Sequence, residues 1–217
     1  ADILHRFEVQ CSSLHPFTSE IEPMMLFSNY ERRVGDFLEY CRNYFTAMQQ
    51  LGATIFVLHG NKQVVGMDID FYCERFGKLA ALGKSYGVTV AQENVARYTS
   101  RSLAFLQQMQ QKMGNEVKFV LDVKQAVRSK EDPMQMLQTL GRNIVHVHIS
   151  DHGEYGDCLP IGAGRFAVKT FLQTLSTISP NCTVMLELYR SGFRTLQDLL
   201  HNYHILQRMI QNCNKEE

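Results

Sequence analysis

Short runs rich in β-branched residues recur along the chain, each followed by a longer segment whose apolar residues fall at helical spacing. This alternation predicts βαβ units around a parallel sheet, because a strand covered on both faces is apolar throughout while a covering helix is apolar along one stripe. Six strands are expected, at Phe7–Ser12, Thr54–Leu58, Val88–Glu93, Val117–Asp122, Ile144–Ile149 and Thr183–Leu188. Between them, Val34, Phe37, Leu38, Cys41, Phe45 and Met48 share one helical stripe, and Leu103, Leu106, Met109 and Met113 share another. Further helices are expected over 68–85, 131–140, 167–178 and 193–212, the third carrying Val168, Phe171, Leu172, Leu175 and Ile178. Asp132-Pro133 and Thr195 read as helix starts. The one long irregular stretch, Leu14 to Asn29, holds Pro16, Pro23, two phenylalanines and two methionines, the makeup of a lid or of a packed surface loop.

With 217 residues, 45% of them apolar, the chain can bury a core as a single domain over 1–217. Its 22 basic and 22 acidic side chains balance, leaving no electrostatic footprint for a nucleic acid or an anionic membrane. The six cysteines form no CxxC pair, and several lie in apolar segments where a reduced thiol behaves as a small hydrophobe, so a cytoplasmic setting is expected. No apolar run approaches the roughly 20 residues of a membrane helix, and residues after Ala1 lack the pattern of a signal peptide. The start at Ala1 rather than Met points to an upstream piece.

The chemistry is suggested by where ionisable residues fall. Glu93 closes the run from Val88, Asp122 closes the run from Lys118, His148 lies in His146-Val-His-Ile-Ser-Asp151, and Glu187 lies in Val184-Met-Leu-Glu-Leu. In a parallel barrel the C-terminal strand ends open on one face, so these four residues would gather round one pocket. Three carboxylates and one imidazole make a hard, oxygen-rich donor set suited to Mn²⁺ or Mg²⁺, with Co²⁺ and Zn²⁺ also compatible. Strung through hydrophobic strands, such charges are expensive to bury unless paired or metal-bound. The structural alternative is a carboxylate that caps the next helix or pairs with a lysine. His146, one step deeper on the same strand face, reads as a hydrogen-bonded core histidine. His15 and His59 also reach the open face, where they could hold substrate or a second metal, or serve structure only.

The segments Leu58-His59-Gly60, Gln92-Glu93-Asn94, Leu121-Asp122-Val-Lys-Gln-Ala126, His146-Val-His148-Ile-Ser-Asp151, Pro160-Ile-Gly162-Ala-Gly164 and Leu186-Glu187-Leu-Tyr189 together resemble the xylose isomerase-like superfamily of sugar phosphate isomerases and epimerases, which also includes endonuclease IV. The resemblance implies a (β/α)8 TIM barrel, of which about six βα units are present and the first one or two are missing. It implies metal ligands at Glu93, Asp122, His148 and Glu187, with Glu93 and Glu187 also acting as acid and base. His15, His59, Lys124, Gln125 and Asp151 are the candidate substrate contacts, and Gly162 and Gly164 lie in a loop whose amides could approach a ligand or simply serve a turn.

Departures from the family pattern narrow the expectation. Where many members carry a histidine three residues after the Asp122 equivalent, this chain has Gln125 preceded by Lys124. The Asp-x-His of endonuclease IV is replaced by Asp157-Cys158-Leu159, which argues against DNA incision. An arginine that ketohexose epimerases place after the His148 equivalent is absent. The resemblance thus implies a metal-dependent isomerase or epimerase of a sugar or sugar phosphate, working through an enediolate. An inosose dehydratase-like lyase, or an inactive barrel retained as a binding protein, are the alternatives. A small-molecule partner, no nucleic acid, no membrane and a homo-oligomer are expected.

Overall fold

The computed structural model describes residues 1–62 and 66–213. Their contacts fall into two units, one ending at Phe119 and one beginning at Val120.

In the first unit the chain runs α1 (Asp2–Arg6), β1 (Ser13–Leu14), α2 (Glu31–Leu51), β2 (Ile55–Leu58), α3 (Ile69–Ser85), β3 (Thr89–Glu93) and α4 (Leu103–Met113). Strands β1, β2 and β3 are neighbours in that order and parallel, with Leu14 opposite Phe56 and Leu58 opposite Gln92. This register sets His59, one residue beyond β2, level with Glu93 at the end of β3. Every residue of β2 is buried, and the Phe56 ring meets Phe45 of α2 at 5.2 Å between centroids. The expected stripe on α2 is buried at Val34, Phe37, Cys41, Phe45 and Met48. The helix stops at Gly52, whose φ of 73° lets the Ala53 amide turn back to the Met48 carbonyl at 3.0 Å. Asp68 starts α3 by accepting the Phe71 amide at 2.9 Å.

The second unit holds most of β4 (Lys118–Asp122), then α5 (Val123–Arg128), α6 (Pro133–Leu140), β5 (Ile144–Ile149), β6 (Asp151–Gly153), β7 (Gly156–Leu159), α7 (Val168–Ile178), β8 (Thr183–Leu186) and α8 (Leu196–Cys213). Strand β5 lies between β4 and β8 and is parallel to β8, with His148 opposite Met185 and Ile149 opposite Leu186. Asp132 caps α6 through the Met134 amide at 2.8 Å, and the Thr195 hydroxyl caps α8 through the Asp198 amide at 3.2 Å, both as expected. Helix α7 buries Val168, Phe171, Leu172 and Leu175. Strand β8 is less covered than the others: Met185 is 43% exposed, and an apolar groove of about 630 Å³ opens beside it, lined by Leu196, Leu199, Leu200 and Tyr203.

Two expectations need correction. Residues Phe7–Ser12 are not a strand. Phe7 and Val9 are exposed, so their alternation has no layer to bury it, and Glu8 breaks the extended path at φ 53°. Strand pairing begins at Ser13, although the Ser12 carbonyl already accepts the amides of Thr54 and Ile55. The last strand stops at Leu186 rather than Leu188. An antiparallel hairpin, β6 with β7, and the short helix α5 occupy segments to which the sequence pattern assigns no element.

Candidate metal and substrate site

In the first unit a buried glutamine fixes the ends of β2 and β3. The Tyr72 hydroxyl donates to Gln92 Oε1 at 2.7 Å, which aims the Gln92 amide nitrogen at the carbonyls of Leu58 and His59, at 3.1 and 2.9 Å. The chain then turns sharply at Gly60, φ 90°, where a Cβ would lie 2.0 Å from the Tyr72 hydroxyl. The His59 ring is thereby held against Glu93, its Nε2 2.9 Å from Glu93 Oε2. His15 Nε2 lies 2.7 Å from His59 Nε2 and 3.6 Å from the same glutamate oxygen. Ligand atoms of His15, His59 and Glu93 fall within 4.8 Å of one another.

Sequence reasoning missed Glu22, which secures this corner. Its Oε2 accepts the Gly60 amide and its Oε1 the Thr18 hydroxyl, both at 2.6 Å. Burial pushes the Glu22 carboxyl above its ordinary pKa, against the pull of those two bonds. The 14–29 stretch is packed rather than loose: Thr18, Glu22, Leu26 and Phe27 are buried, and the Tyr98 hydroxyl donates to the Ser19 carbonyl at 3.0 Å. A lone glutamate in an irregular segment carries no periodic signal, so only the fold could find it.

In the second unit Asp122, His148 and Glu187 come together, each at or just past the C-terminal end of its strand. His148 Nδ1 lies 2.9 Å from Glu187 Oε2 and 3.7 Å from Asp122 Oδ2. Asp122 serves two purposes: Oδ1 caps α5 through the Gln125 amide at 2.9 Å, while Oδ2 is turned to the cluster. Lys124, buried at 3% exposure, donates to Glu187 Oε1 at 2.6 Å and approaches Asp122 Oδ2 at 3.2 Å. Burial pushes Glu187 up, but the His148 bond and the Lys124 ammonium outweigh it and hold that carboxyl at about 2. The same carboxylates overcome the burial penalty on Lys124 and raise it above the usual lysine range. His146 sits deeper, fully buried, with Nδ1 2.6 Å from the Thr183 hydroxyl, a core histidine as expected. Two carboxylates and an imidazole nitrogen within 4.8 Å fit a divalent ion, whose ligand atoms stand roughly 3–4 Å apart around its shell.

Asp151 has different company. Its Oδ1 accepts the amides of His152 and Phe166, at 2.8 and 3.0 Å, and its Oδ2 those of Gly162 and Gly164, at 2.9 and 3.1 Å. The carboxylate thus ties the Pro160–Phe166 loop to β6, and the two glycine amides point inward to it. Gln125 is half-buried on the first turn of α5. Tyr189, also missed, lies with its ring 5.0 Å from Lys124 Nζ, its hydroxyl accepting from Arg128 at 2.6 Å. Among the described residues all six cysteines are free thiols, and no helix is long and apolar enough to cross a membrane.

A structure described as a D-tagatose 3-epimerase-like protein superposes with a TM-score of 0.78 at 20% identity, covering 99% of this chain and 82% of that one. The apo 3-keto-D-glucoside 4-epimerase from E. coli gives 0.75 at 14% identity, over 95% and 82%. The IOLI protein with a bound zinc atom gives 0.68 at 16% identity, over 99% and 80%. At these identities the likeness is one of fold. No curated protein sequence matches the chain. The sequence model described as xylose isomerase-like TIM barrel matches residues 1–209, nearly the whole chain and every strand-end residue described above. On that extent of match, the chain belongs to the xylose isomerase-like TIM-barrel family.

Proposed function

We propose that the chain is a divalent-metal-dependent isomerase or epimerase of a sugar or sugar phosphate, which moves a proton on a carbon next to a carbonyl. The observation that carries this is the convergence of buried Asp122 and His148 with half-buried Glu187 at strand ends in a chain of the xylose isomerase-like family. Glu93, the strand-end glutamate of β3, is the fourth ligand by family resemblance. Mn²⁺ or Mg²⁺ suits the oxygen-rich set, and the zinc in the IOLI structure keeps Zn²⁺ among the candidates with Co²⁺. When bound, the ion supplies positive charge against the oxygens of the developing enediolate.

The remaining chemistry falls to side chains. Glu93 and Glu187 act as the acid and base pair, one taking the proton and the other returning it, and Glu187's low pKa keeps it ionised at neutral pH. His15 and His59 present ring nitrogens to substrate hydroxyls, and their pairing with Glu93 would also accept a second ion. Lys124 and Gln125 flank the Asp122 side, where a hydroxyl or phosphate would be contacted. Asp151 supports the loop instead of touching substrate. The work is that of a cytoplasmic enzyme with free thiols, a small-molecule partner, no nucleic acid or membrane partner, and a homo-oligomeric state.

The test is solvent exchange. With Mn²⁺ in D2O, a panel of ketoses and ketose phosphates should take up deuterium at the carbon beside the carbonyl, and Glu93→Gln should abolish it. Absence of exchange across the panel from ion-loaded protein would refute the proposal, while loss of water from the product would identify the dehydratase alternative. One observation favours a second reading, a metal-free binding protein: the Lys124 ammonium already bridges the carboxylates of Asp122 and Glu187.

A further inference from the structure

We propose that Lys124 is a built-in competitor for the divalent ion, keeping its binding weak and exchangeable by occupying the oxygens the ion needs. This rests on the metal-dependent reading above. The lysine is the second residue of α5, a helix whose start is set by Asp122 Oδ1 capping the Gln125 amide. That cap leaves Asp122 Oδ2 as the oxygen turned to the cluster, and Lys124 Nζ reaches it at 3.2 Å while donating to Glu187 Oε1 at 2.6 Å. An ion held by Asp122, His148 and Glu187 therefore has to displace an ammonium from one or both carboxylates, or bind beside it.

Within this unit the ammonium is held by the carboxylates of Asp122 and Glu187. The face of Tyr189 lies 5.0 Å from Nζ, but the Arg128 guanidinium already lies 5.2 Å from that ring. The Asp157 carboxylate beyond it is bonded to both Nε and Nη2 of Arg128. The lysine is 3% exposed in its present position, so an ammonium displaced from a carboxylate stays near the cluster, where its charge opposes a second cation with little screening. Two such charges at about 4 Å repel strongly enough to change an ion's affinity by roughly tenfold or more. The expected consequence is an ion that exchanges readily and is lost during purification without added metal.

The experiment is a titration with Mn²⁺, read by the electron paramagnetic resonance signal of free ion, on wild type, Lys124→Met and Lys124→Arg. Lys124→Met should bind at least roughly tenfold more tightly, and Lys124→Arg, which keeps the charge, should remain close to wild type. Thermal unfolding gives a second readout: added Mn²⁺ should raise the melting temperature more in Lys124→Met than in wild type, since only the variant leaves its carboxylates without a cation. If Lys124→Met does not fold, Lys124→Gln takes its place. Wild type that binds Mn²⁺ while the neutral variant binds no more tightly would overturn the role of Lys124 alone. Failure of wild type and neutral variant alike to bind would overturn the metal reading and this proposal with it.

Discussion

Asp151→Asn changes one atom of a buried side chain, yet four backbone amides depend on that carboxylate. Oδ1 accepts from His152 and Phe166, Oδ2 from Gly162 and Gly164, all at 2.8–3.1 Å. An asparagine has one acceptor oxygen, so either orientation keeps two of these bonds and sets its own N–H groups against the other two amides. Hydrogen bonds to a charged group contribute about 1.5–3 kcal/mol each, and Asp151 is 2% exposed, so water cannot replace them. The loss should be about 3–6 kcal/mol, lowering the melting temperature by roughly 6–24 °C for a chain of this size. Urea denaturation and calorimetry of the variant beside wild type measure it. Gly164→Ala should behave similarly, because its Cβ would meet Asp151 Oδ1 at 2.3 Å and the His152 carbonyl at 2.4 Å. A stability loss below about 1 kcal/mol for Asp151→Asn, accompanied by a raised KM, would refute the structural role and return Asp151 to the substrate contacts.

Two further perturbations probe the first unit. Gly60→Ala adds a Cβ at φ 90° and 2.0 Å from the Tyr72 hydroxyl, so it should cost about 2–4 kcal/mol through strain and overpacking together, measured by urea unfolding; a neutral result would show that the Tyr72–Gln92 clamp is not rigid. Glu31 is held down to about 2 by the hydrogen bonds from Arg75 and Lys78. Its folded pKa lies below its ordinary value of 4.5, so its contribution is complete above that value and lost as the pH falls towards about 2. The stability gap between wild type and Glu31→Gln should therefore be present at neutral pH and close on acidification, and a gap that does not change with pH would contradict the assignment.

Much of this was legible in the sequence, for reasons that are physical. Strands such as Ile144–Ile149 are buried on both faces, and helices such as α2 and α7 on one, so their patterns are unambiguous. The strand-end positions of Glu93, Asp122 and His148 followed from the same patterns, since a charge closing an apolar run is costly unless it has work to do. Residues Phe7–Ser12 misled because alternation marks a strand only when a layer exists to bury it, and there Phe7 and Val9 face solvent. The β6–β7 hairpin and α5 are too short for periodicity to register. The partners of Glu22, Asp151 and Lys124 depend on tertiary contacts: Glu22 meets an amide 38 residues away and Lys124 a carboxylate 63 residues away, distances no local pattern encodes.

Metal content tests the proposed centre most directly. Wild type and Glu187→Gln, each equilibrated with Mn²⁺ at a series of fixed levels up to millimolar and passed through rapid gel filtration in buffer held at the same level, are measured by elemental analysis. About one ion per wild-type chain above the buffer level, reduced or lost in Glu187→Gln, is the predicted result for a mononuclear site of this donor set. Folded wild type that retains no ion at any Mn²⁺ level up to millimolar would contradict it.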